Sequence, residues 1–261
     1  MQTIEFSARP LAGKKGVIFG IANQYSIAYG CAQAFRGLGS DLALTYLGEK
    51  AKPHAEPLAK ALDAPILLPC DVRVPEQLEN VFQVIEKTWG KLDFALHSIA
   101  SAPKQDLHSP LSQCSRDGFL QAMDVSCYSF IRMAHLAASM MHDGGTILTM
   151  TYYGAEKVID NYNVMGVVKA ALESSVRYLA SELGPKRIRV HAVSPGPIRT
   201  RAASGIEHFD QLLERAAQRA PERDLVSIED VGATTAFLAT DYARLMTGEI
   251  VHVDGGYHIL G

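Results

Sequence analysis

KGVIFG at Lys15–Gly20 and SIAYGCAQAFRGL at Ser26–Leu38 decide the predicted fold. The first stretch is a continuous apolar run, which is typical of a strand buried on both faces. The second has helical apolar periodicity and ends at Gly39, a residue favoured just after a helix. A buried strand followed by a short turn and a helix indicates the first unit of a parallel α/β sheet.

The same alternation of strand and helix continues along the chain. Further strands are predicted at 42–46, 65–70, 94–99, 146–151, 188–194 and 250–253, and helices at 53–62, 75–88, 119–141 and 164–183. We therefore predict one dinucleotide-binding α/β domain over residues 1–261. Its core is a doubly wound, Rossmann-type parallel sheet of about seven strands with helices on both faces.

Residues 199–223 interrupt this alternation. They carry apolar residues at spacings near three and four, which predicts one or two short helices over the mouth of the sheet. We expect this segment to be a substrate lid; the alternative is an ordinary pair of surface helices.

Composition excludes several classes of protein. The formal charge is −3 with a pI near 6.3, and both signs are scattered, so no basic face for nucleic acid is expected. The four cysteines form no CxxC pair and no zinc-ligand spacing, which indicates reduced thiols and no metal site. Neither a signal peptide nor an apolar run of the ~18 residues that span a bilayer is visible. We expect a soluble cytoplasmic protein that does not bind membranes.

The ends of the predicted strands point to a cofactor site, because ligands of such sheets lie beyond the carboxyl ends of the strands. Gly20-Ile21-Ala22 follows the first strand, and Ser26-Ile27 opens the first helix. The free N–H groups and positive dipole end of that helix favour a pyrophosphate. The strict G-x-G-x-x-G pattern is absent, so the position of this turn, rather than its motif, indicates a dinucleotide.

Two further strand ends add candidate contacts. Asp71 and Val72 follow the third strand, where Asp71 can accept a hydrogen bond from the adenine amino group; the alternative is a capping or solvated turn aspartate. Ser98-Ile99-Ala100 follows the fourth strand, where Ile99 and Ala100 either line the path to the nicotinamide or simply pack.

Leu47 follows the second strand, at the position where a carboxylate binds the ribose of NAD and an arginine favours the phosphate of NADP. Glu49, Lys50 and Lys52 come next, so the pattern is mixed. Because no arginine stands at the strand end, we expect NADH as the cofactor, with NADPH as the alternative.

Two tyrosine–lysine spacings compete for the catalytic role. Tyr153 and Lys157 match the Y-x3-K pattern of ordinary short-chain dehydrogenases, but Lys157 lies in a predicted loop. Tyr162 and Lys169 give Y-x6-K, with Lys169 in a helix and Met165 at the x3 position, where it cannot supply a proton. We therefore treat the first pair as a coincidental match.

The longer spacing suits a particular reaction. Residues seven apart on a helix differ by about 20° of rotation and roughly 10.5 Å of rise, so Tyr162 and Lys169 share a face if the helix reaches Tyr162. In conjugate reduction, hydride goes to the β carbon and charge develops on a more distant carbonyl oxygen. A displaced tyrosine is suited to that geometry.

Six stretches carry a resemblance to a known family. In chain order they are GIANQYSIAYG, CDV, HSIASAP, TYYGAEKVIDNYNVMGVVKAALE, SPGPIRTRAASGI and GEIVHVDGGY. Together they resemble the bacterial enoyl-acyl-carrier-protein reductases of type II fatty-acid synthesis, over roughly residues 11–257. The resemblance implies a homotetramer that reduces the trans-2 double bond of an enoyl thioester on acyl carrier protein, with hydride from NADH. This reaction is the last step of the elongation cycle.

The resemblance also implies roles for individual residues. Tyr162 stabilises the thioester enolate, Lys169 holds the nicotinamide ribose hydroxyls, and Tyr152 lies beside the substrate. The cofactor set is Gly20, Ile21, Ala22, Ser26, Ile27, Leu47, Asp71, Val72, Ser98, Ile99, Ala100, Lys169, Pro197, Ile198 and Thr200, and the substrate set is Ala102, Tyr152, Tyr162, Met165, Ile206 and Phe209.

Two departures from the family and two rival functions remain. Ser101 stands where the family usually has a bulky residue, so we expect a looser pocket wall, and Glu207 with Asp210 makes the inserted segment acidic. Arginines at 199, 201, 215 and 219 are the alternative basic face for an acidic carrier protein. The rivals are a 3-oxoacyl or other carbonyl reductase and a non-catalytic dinucleotide sensor.

Overall fold

The structure is a computed structural model and describes residues 6–200 and 209–260. Seven strands form one parallel sheet. They are β1 (Lys15–Phe19), β2 (Asp41–Tyr46), β3 (Ile66–Pro69), β4 (Phe94–His97), β5 (Gly145–Met150), β6 (Ile188–Pro195) and β7 (Ile250–Val253). The predicted seven-stranded parallel sheet is confirmed.

The strand order places a crevice beside β1. The sheet runs β3-β2-β1-β4-β5-β6-β7, so the chain builds outward from β1, returns, and adds β4 on the other side of β1. Gly16 pairs with Leu42 of β2 on one side and with Phe94 of β4 on the other. Ligands of such sheets bind where the order reverses, beyond the carboxyl ends of these strands.

Helices cover both faces of this sheet. They are α1 (Ile27–Gly37), α2 (Gly48–Ala61), α3 (Pro75–Trp89), α4 (Lys104–His108), α5 (Arg116–Met123), α6 (Ser129–Met140), α7 (Asn163–Leu183), α8 (Phe209–Arg219) and α9 (Ile228–Ala239). Successive side chains of β1 enter two separate cores: Val17 and Phe19 pack on the side of α3, α6 and α7, and Ile18 on the side of α1 and α9. Among these described helices, none is long and apolar enough to cross a membrane.

Helices α1 and α9 pack with their backbones in contact. A Cβ on Gly30 of α1 would lie 2.3 Å from the carbonyl oxygen of Ile228, and one on Gly232 of α9 would lie 2.4 Å from the carbonyl oxygen of Gly30. Both positions therefore require glycine, since the obstructing atoms belong to the backbone. Gly37, at the end of α1, has open space around it.

Two predicted helices differ from the structure, and a third helix, α9, was missed. The helix predicted at 119–141 begins at Arg116 and is divided by a π-helical turn, Asp124–Tyr128. Helix α2 begins at Gly48 and not at Pro53, which lies inside it. Helix α9 was not predicted at all, although Ser227 and Asp230 form a capping box at its start.

Candidate active site

A cavity of about 770 Å³ opens at the carboxyl ends of β4, β5 and β6. It extends from the first residue of α1 to the first turn of α7. Ten of the residues predicted for the site line it: Ile27, Ala100, Ala102, Tyr152, Tyr162, Met165, Pro197, Ile198, Thr200 and Phe209. The structure therefore brings predicted cofactor and substrate residues into one space.

Two tyrosines form the polar end of this cavity. Tyr152 follows β5 and Tyr162 caps α7, and their rings meet edge to face with centroids 5.0 Å apart. Helix α7 begins at Asn163, whose φ is +42°, so Tyr162 lies in the turn just before the helix and the condition that the helix reaches it is not met. Within the described part of the chain, the buried Tyr152 hydroxyl has no hydrogen-bond partner. Such a group is expected to bind an acceptor from outside the chain.

Burial keeps both phenols protonated. It is the main cause that raises the pKa of Tyr162, and the neighbouring Tyr152 and Glu173 add to it. Burial also raises the pKa of Tyr152, with further contributions from Tyr257 and Asp254. Both side chains are therefore hydrogen-bond donors at neutral pH.

Lys169 lies seven residues after Tyr162, behind the cavity. The residue is 4% exposed, and its ammonium donates a 2.7 Å hydrogen bond to the Met150 carbonyl at the end of β5. Burial lowers the pKa of Lys169 from its ordinary value to about 8. The side chain therefore still carries a proton at neutral pH.

The rival pair, Tyr153 and Lys157, does not form a site. Lys157 is exposed in the turn after β5, as predicted for a solvated loop. Tyr153 is buried and packs edge-on against His252, Tyr257 and His258. The tyrosine of this pair is a packing residue on the far side of the turn.

Gly154 sets the position of the Tyr162 ring. A Cβ at residue 154 would lie 2.4 Å from Cδ1 of Tyr162 and 3.3 Å from Cδ1 of Tyr152. Only glycine at position 154 therefore leaves room for both rings.

We expect Gly154→Ala to lower kcat by about tenfold to 10²-fold, because a displacement near 1 Å at a reacting group has that order of effect. Steady-state kinetics and a separate NADH titration would show the loss in kcat, with the dissociation constant unchanged. Gly184→Ala is the matched control, since nothing lies within 4 Å of that position. Equal kcat for the two variants would contradict the claim that Gly154 sets the position of the Tyr162 ring.

The segment Ser98–Ala102, here termed the wall segment, is held by Ser126 of the π-helical turn. Ser126 accepts the Ser101 N–H at 2.9 Å and donates to the Ser101 carbonyl at 3.1 Å. The backbone of Ser101 is thus fixed in both directions, and the looser pocket wall expected from its small side chain stays a prediction. Ser101 itself lines the cavity.

His97, just before the wall segment, is also fixed. The Ser129 hydroxyl donates to the Val125 carbonyl at 2.7 Å, so its oxygen accepts from Nε2 of His97 at 2.7 Å. Burial, with the charge of Lys169, lowers the pKa of His97 to about 3. His97 is thus a neutral tautomer that joins β4 to α6.

The turn after β1 packs closely against the end of β4. Gly20 has a φ of +104°, and a Cβ there would lie 2.3 Å from the Ser98 carbonyl oxygen. Ser26 precedes α1 and its hydroxyl donates to the Asn23 carbonyl. The Tyr29 and Gly30 N–H groups donate to the Ser26 carbonyl, so the N–H groups ahead of them are the ones at the start of α1 that suit an anion.

The adenosine end is less well defined. The Asp71 carboxylate is paired with Arg73 through contacts of 2.5–3.1 Å, so its oxygens are already occupied. Leu47 is exposed after β2 and precedes α2. The predicted residues that do not line the cavity are Gly20, Ile21, Ala22, Ser26, Leu47, Asp71, Val72, Ser98, Ile99 and Lys169.

Helix α8 belongs to the predicted lid and borders the cavity through Phe209 and Leu212. Ile206, Glu207 and Arg201 lie outside the described residues. Arg199 pairs with Asp210 at 2.6 Å and Arg215 with Asp160 at 3.0 Å. These ion pairs neutralise two of the arginines considered for a basic docking face.

Several residues that line the cavity were not in the sets predicted from the sequence. Thr151 and Gly196 only extend motifs that were recognised, whereas Lys104 and Leu107 lie on the short helix α4, which carries no periodic pattern. The cavity-lining residues absent from the predicted sets are Ser101, Lys104, Leu107, Thr151, Pro195, Gly196 and Leu212. Over residues 6–200 and 209–260, no group of three acidic, histidine or cysteine side chains is arranged to hold a metal ion.

Comparisons with known proteins agree with this geometry. The sequence profile of the family described as Enoyl-(Acyl carrier protein) reductase matches residues 20–258. The chain is 50% identical over 249 residues to enoyl-[acyl-carrier-protein] reductase [NADH] 1 of Rhizobium meliloti, covering 95% of this chain and 92% of the relative. It is 45% identical over 250 residues to the NADH enoyl-[acyl-carrier-protein] reductase FabI of Escherichia coli, with 95% of each chain covered. The crystal structure of the Anaplasma phagocytophilum enoyl-(acyl-carrier-protein) reductase in complex with NAD matches with a TM-score of 0.94 and 47% identity, covering 98% of this chain and 97% of that one.

Proposed function

We propose roles for the residues of this site from the premise that the chain belongs to the enoyl-(acyl-carrier-protein) reductase family. The activity is the reduction of the trans-2 double bond of an enoyl thioester on acyl carrier protein, with NADH as the reductant, in fatty-acid synthesis. The observation that carries the residue assignment is the Tyr152–Tyr162 pair at the cavity, with a buried Lys169 behind it.

The chain provides a site that fits NADH. Gly20 lets the turn after β1 pack against the Ser98 carbonyl, the first turn of α1 offers N–H groups to the pyrophosphate, and Lys169 would hold the nicotinamide ribose. When bound, NADH supplies the hydride that the β carbon of the enoyl group takes up. The exposed Leu47 offers no positive charge to a 2′-phosphate, which supports the use of NADH.

Tyr162 would donate a hydrogen bond to the thioester oxygen as negative charge develops there. Its phenol remains protonated because burial raises its pKa, so the donor is present throughout. The Lys169 ammonium adds a positive field that favours the same anion. Tyr152, whose hydroxyl lacks a partner in the described chain, would donate a second hydrogen bond beside it. The α carbon then takes a proton to give the saturated thioester.

The test is an absorbance assay with NADH and crotonyl thioesters of acyl carrier protein and of coenzyme A, with acetoacetyl thioester as the carbonyl substrate. Oxidation of NADH with the crotonyl substrates alone supports the proposal. Turnover of acetoacetyl thioester alone would indicate a carbonyl reductase, which Met165 at the x3 position disfavours. A thermal shift with NADH and no turnover would indicate a dinucleotide sensor.

We also propose that residues 1–261 form one domain in which 199–223 is a lid. The support is that Phe209 and Leu212 of α8 line the cavity and that Arg215 links α8 to the turn before α7. We expect amide exchange over 209–219 to slow when NAD⁺ and a saturated acyl thioester are both bound. Equal exchange in the free and bound protein would contradict a lid.

A homotetramer in the cytoplasm completes the proposal. Its support is a set of exposed apolar residues on α5 to α7: Leu120, Tyr128, Ile131, Val167 and Tyr178. The four cysteines are free thiols, which is typical of a reducing compartment. Light scattering that gives the mass of a single 28.3 kDa chain would refute the tetramer.

A further inference from the structure

Glu173 is a buried carboxylate that the catalytic scheme above does not use. It lies on α7 four residues after Lys169, so the two side chains leave the same face of the helix one turn apart. Both are nearly inaccessible, with exposures of 4% for Lys169 and 6% for Glu173. A buried carboxylate is costly unless it is paired and hydrogen-bonded, so its presence here calls for a physical cause.

The two side chains contact consecutive residues at the end of β5. The Lys169 ammonium donates to the Met150 carbonyl at 2.7 Å, and Glu173 accepts the Thr151 hydroxyl, also at 2.7 Å. Thr151 lines the cavity directly before Tyr152. The helix is thereby joined to the strand end by one cationic and one anionic contact.

We propose that Glu173 is a positioning residue for cofactor binding: its carboxylate holds the Thr151 hydroxyl at the cavity and supplies the charge that keeps the buried Lys169 ammonium protonated. The proposal rests on the assignment of Lys169 to the nicotinamide ribose made above. It concerns the charge state of Lys169, and therefore NADH binding, rather than the chemical step.

The groups that face this pair come from several elements. Lys169 is affected by Cys127 of the π-helical turn and by Glu173, and its own charge acts on His97 of β4. Glu173 is affected by Glu156, Arg177 and Lys169. His97 is neutral, and burial raises the pKa of the Cys127 thiol, so neither carries a charge near neutral pH. Although burial raises the pKa of Glu173 too, a carboxyl ionises well before a thiol, so Glu173 is the anion beside Lys169.

The sign of the effect follows from the charges. Lys169 is protonated below its pKa of about 8 and loses its charge as the pH rises through that value. Burial disfavours the charged form of Lys169, and the negative charge of Glu173 favours it. Removal of the Glu173 charge is therefore expected to lower the pKa of Lys169 further. NADH binding would therefore weaken at a lower pH than in the unaltered protein.

The experiment is a fluorescence titration of NADH over a pH series for the unaltered protein, Glu173→Gln and Thr151→Val. Glutamine keeps an acceptor for Thr151 but removes the charge, so we expect the pH midpoint of NADH binding to fall by about one unit, with up to about tenfold weaker binding above it. Thr151→Val removes the hydrogen bond but keeps the charge, so its midpoint should not fall. Glu182→Gln, at an exposed position of α7, should titrate like the unaltered protein.

Three results would overturn the proposal. An unchanged midpoint in Glu173→Gln would show that its charge is not used, and an equal fall in Thr151→Val would show that the effect is structural. If Glu173→Gln fails to fold, Glu173→Asp, which keeps the charge, must retain the unaltered midpoint. Turnover of crotonyl thioester by the unaltered protein tests the activity independently, so failure of one does not imply failure of the other.

Discussion

Tyr162→Phe is expected to lower kcat by about 10²–10³-fold, with NADH affinity almost unchanged. The phenol donates to charge that appears on the thioester oxygen only as the reaction proceeds, so its loss falls on the transition state. One such donor is worth about 2.7–4 kcal/mol. Tyr152, whose ring centroid lies 5.0 Å away, can replace part of the lost hydrogen bond and reduce the effect. Steady-state kinetics, with the NADH dissociation constant measured separately, would check the prediction.

Three further variants give this result its controls. Lys169→Ala should weaken NADH binding as well as turnover, because its ammonium would contact the ribose in the ground state too. Lys157→Ala should change little, since Lys157 is exposed. Tyr153→Phe should be mild, because the Tyr153 ring packs against histidines and a tyrosine outside the cavity. Activity that is lost in Lys157→Ala and kept in Lys169→Ala would restore the carbonyl-reductase interpretation.

Gly30→Ala is expected to cause a much larger loss of stability than Gly37→Ala, the other glycine-to-alanine substitution in α1. The new Cβ would lie 2.3 Å from the Ile228 carbonyl oxygen, so α9 must move away from α1. Overpacking of this kind costs about 1–3 kcal/mol or more, and here the obstructing atom is backbone that cannot change rotamer. At about 2–4 °C per kcal/mol for a chain of this size, Tm should fall by roughly 2–12 °C.

Gly37→Ala is the matched control on the same helix. Nothing lies within 4 Å of its added Cβ, so the substitution should leave stability unchanged or raise it by about 0.4–1 kcal/mol through a less flexible unfolded chain. Scanning calorimetry on both variants would compare them directly. Equal Tm values for Gly30→Ala and Gly37→Ala would show that α1 and α9 have room to separate.

The sequence was sufficient for the parallel sheet because its strands are long apolar runs between turn residues. It was insufficient for α9, whose residues Ile228–Ala239 include a glycine and two threonines and so resemble a loop. That helix is stabilised by contact with α1 at Gly30, a partner about 200 positions away. The capping box at Ser227 was the local signal that would have located its start.

The candidate site, like the fold, was predicted from the sequence only in part. Tyr162 and Lys169 were identified because the Y-x6-K spacing and the surrounding motif are both local to the sequence, at the start of α7. The double hydrogen bond from Ser126 to Ser101 and the contact of Glu173 with Thr151 join residues 25 and 22 positions apart. Such partners are selected by tertiary packing, so no local pattern predicts them.

The strand order also governs how this chain is made on the ribosome. Gly16 of β1 pairs with Leu42 on one side but with Phe94 on the other, 78 positions later. At about 5–20 residues per second, β1 is completed several seconds before the strand that covers its second edge. An uncovered apolar strand edge is a template for aggregation, so the first 90 residues of the nascent chain are the part with most need of protection by chaperones.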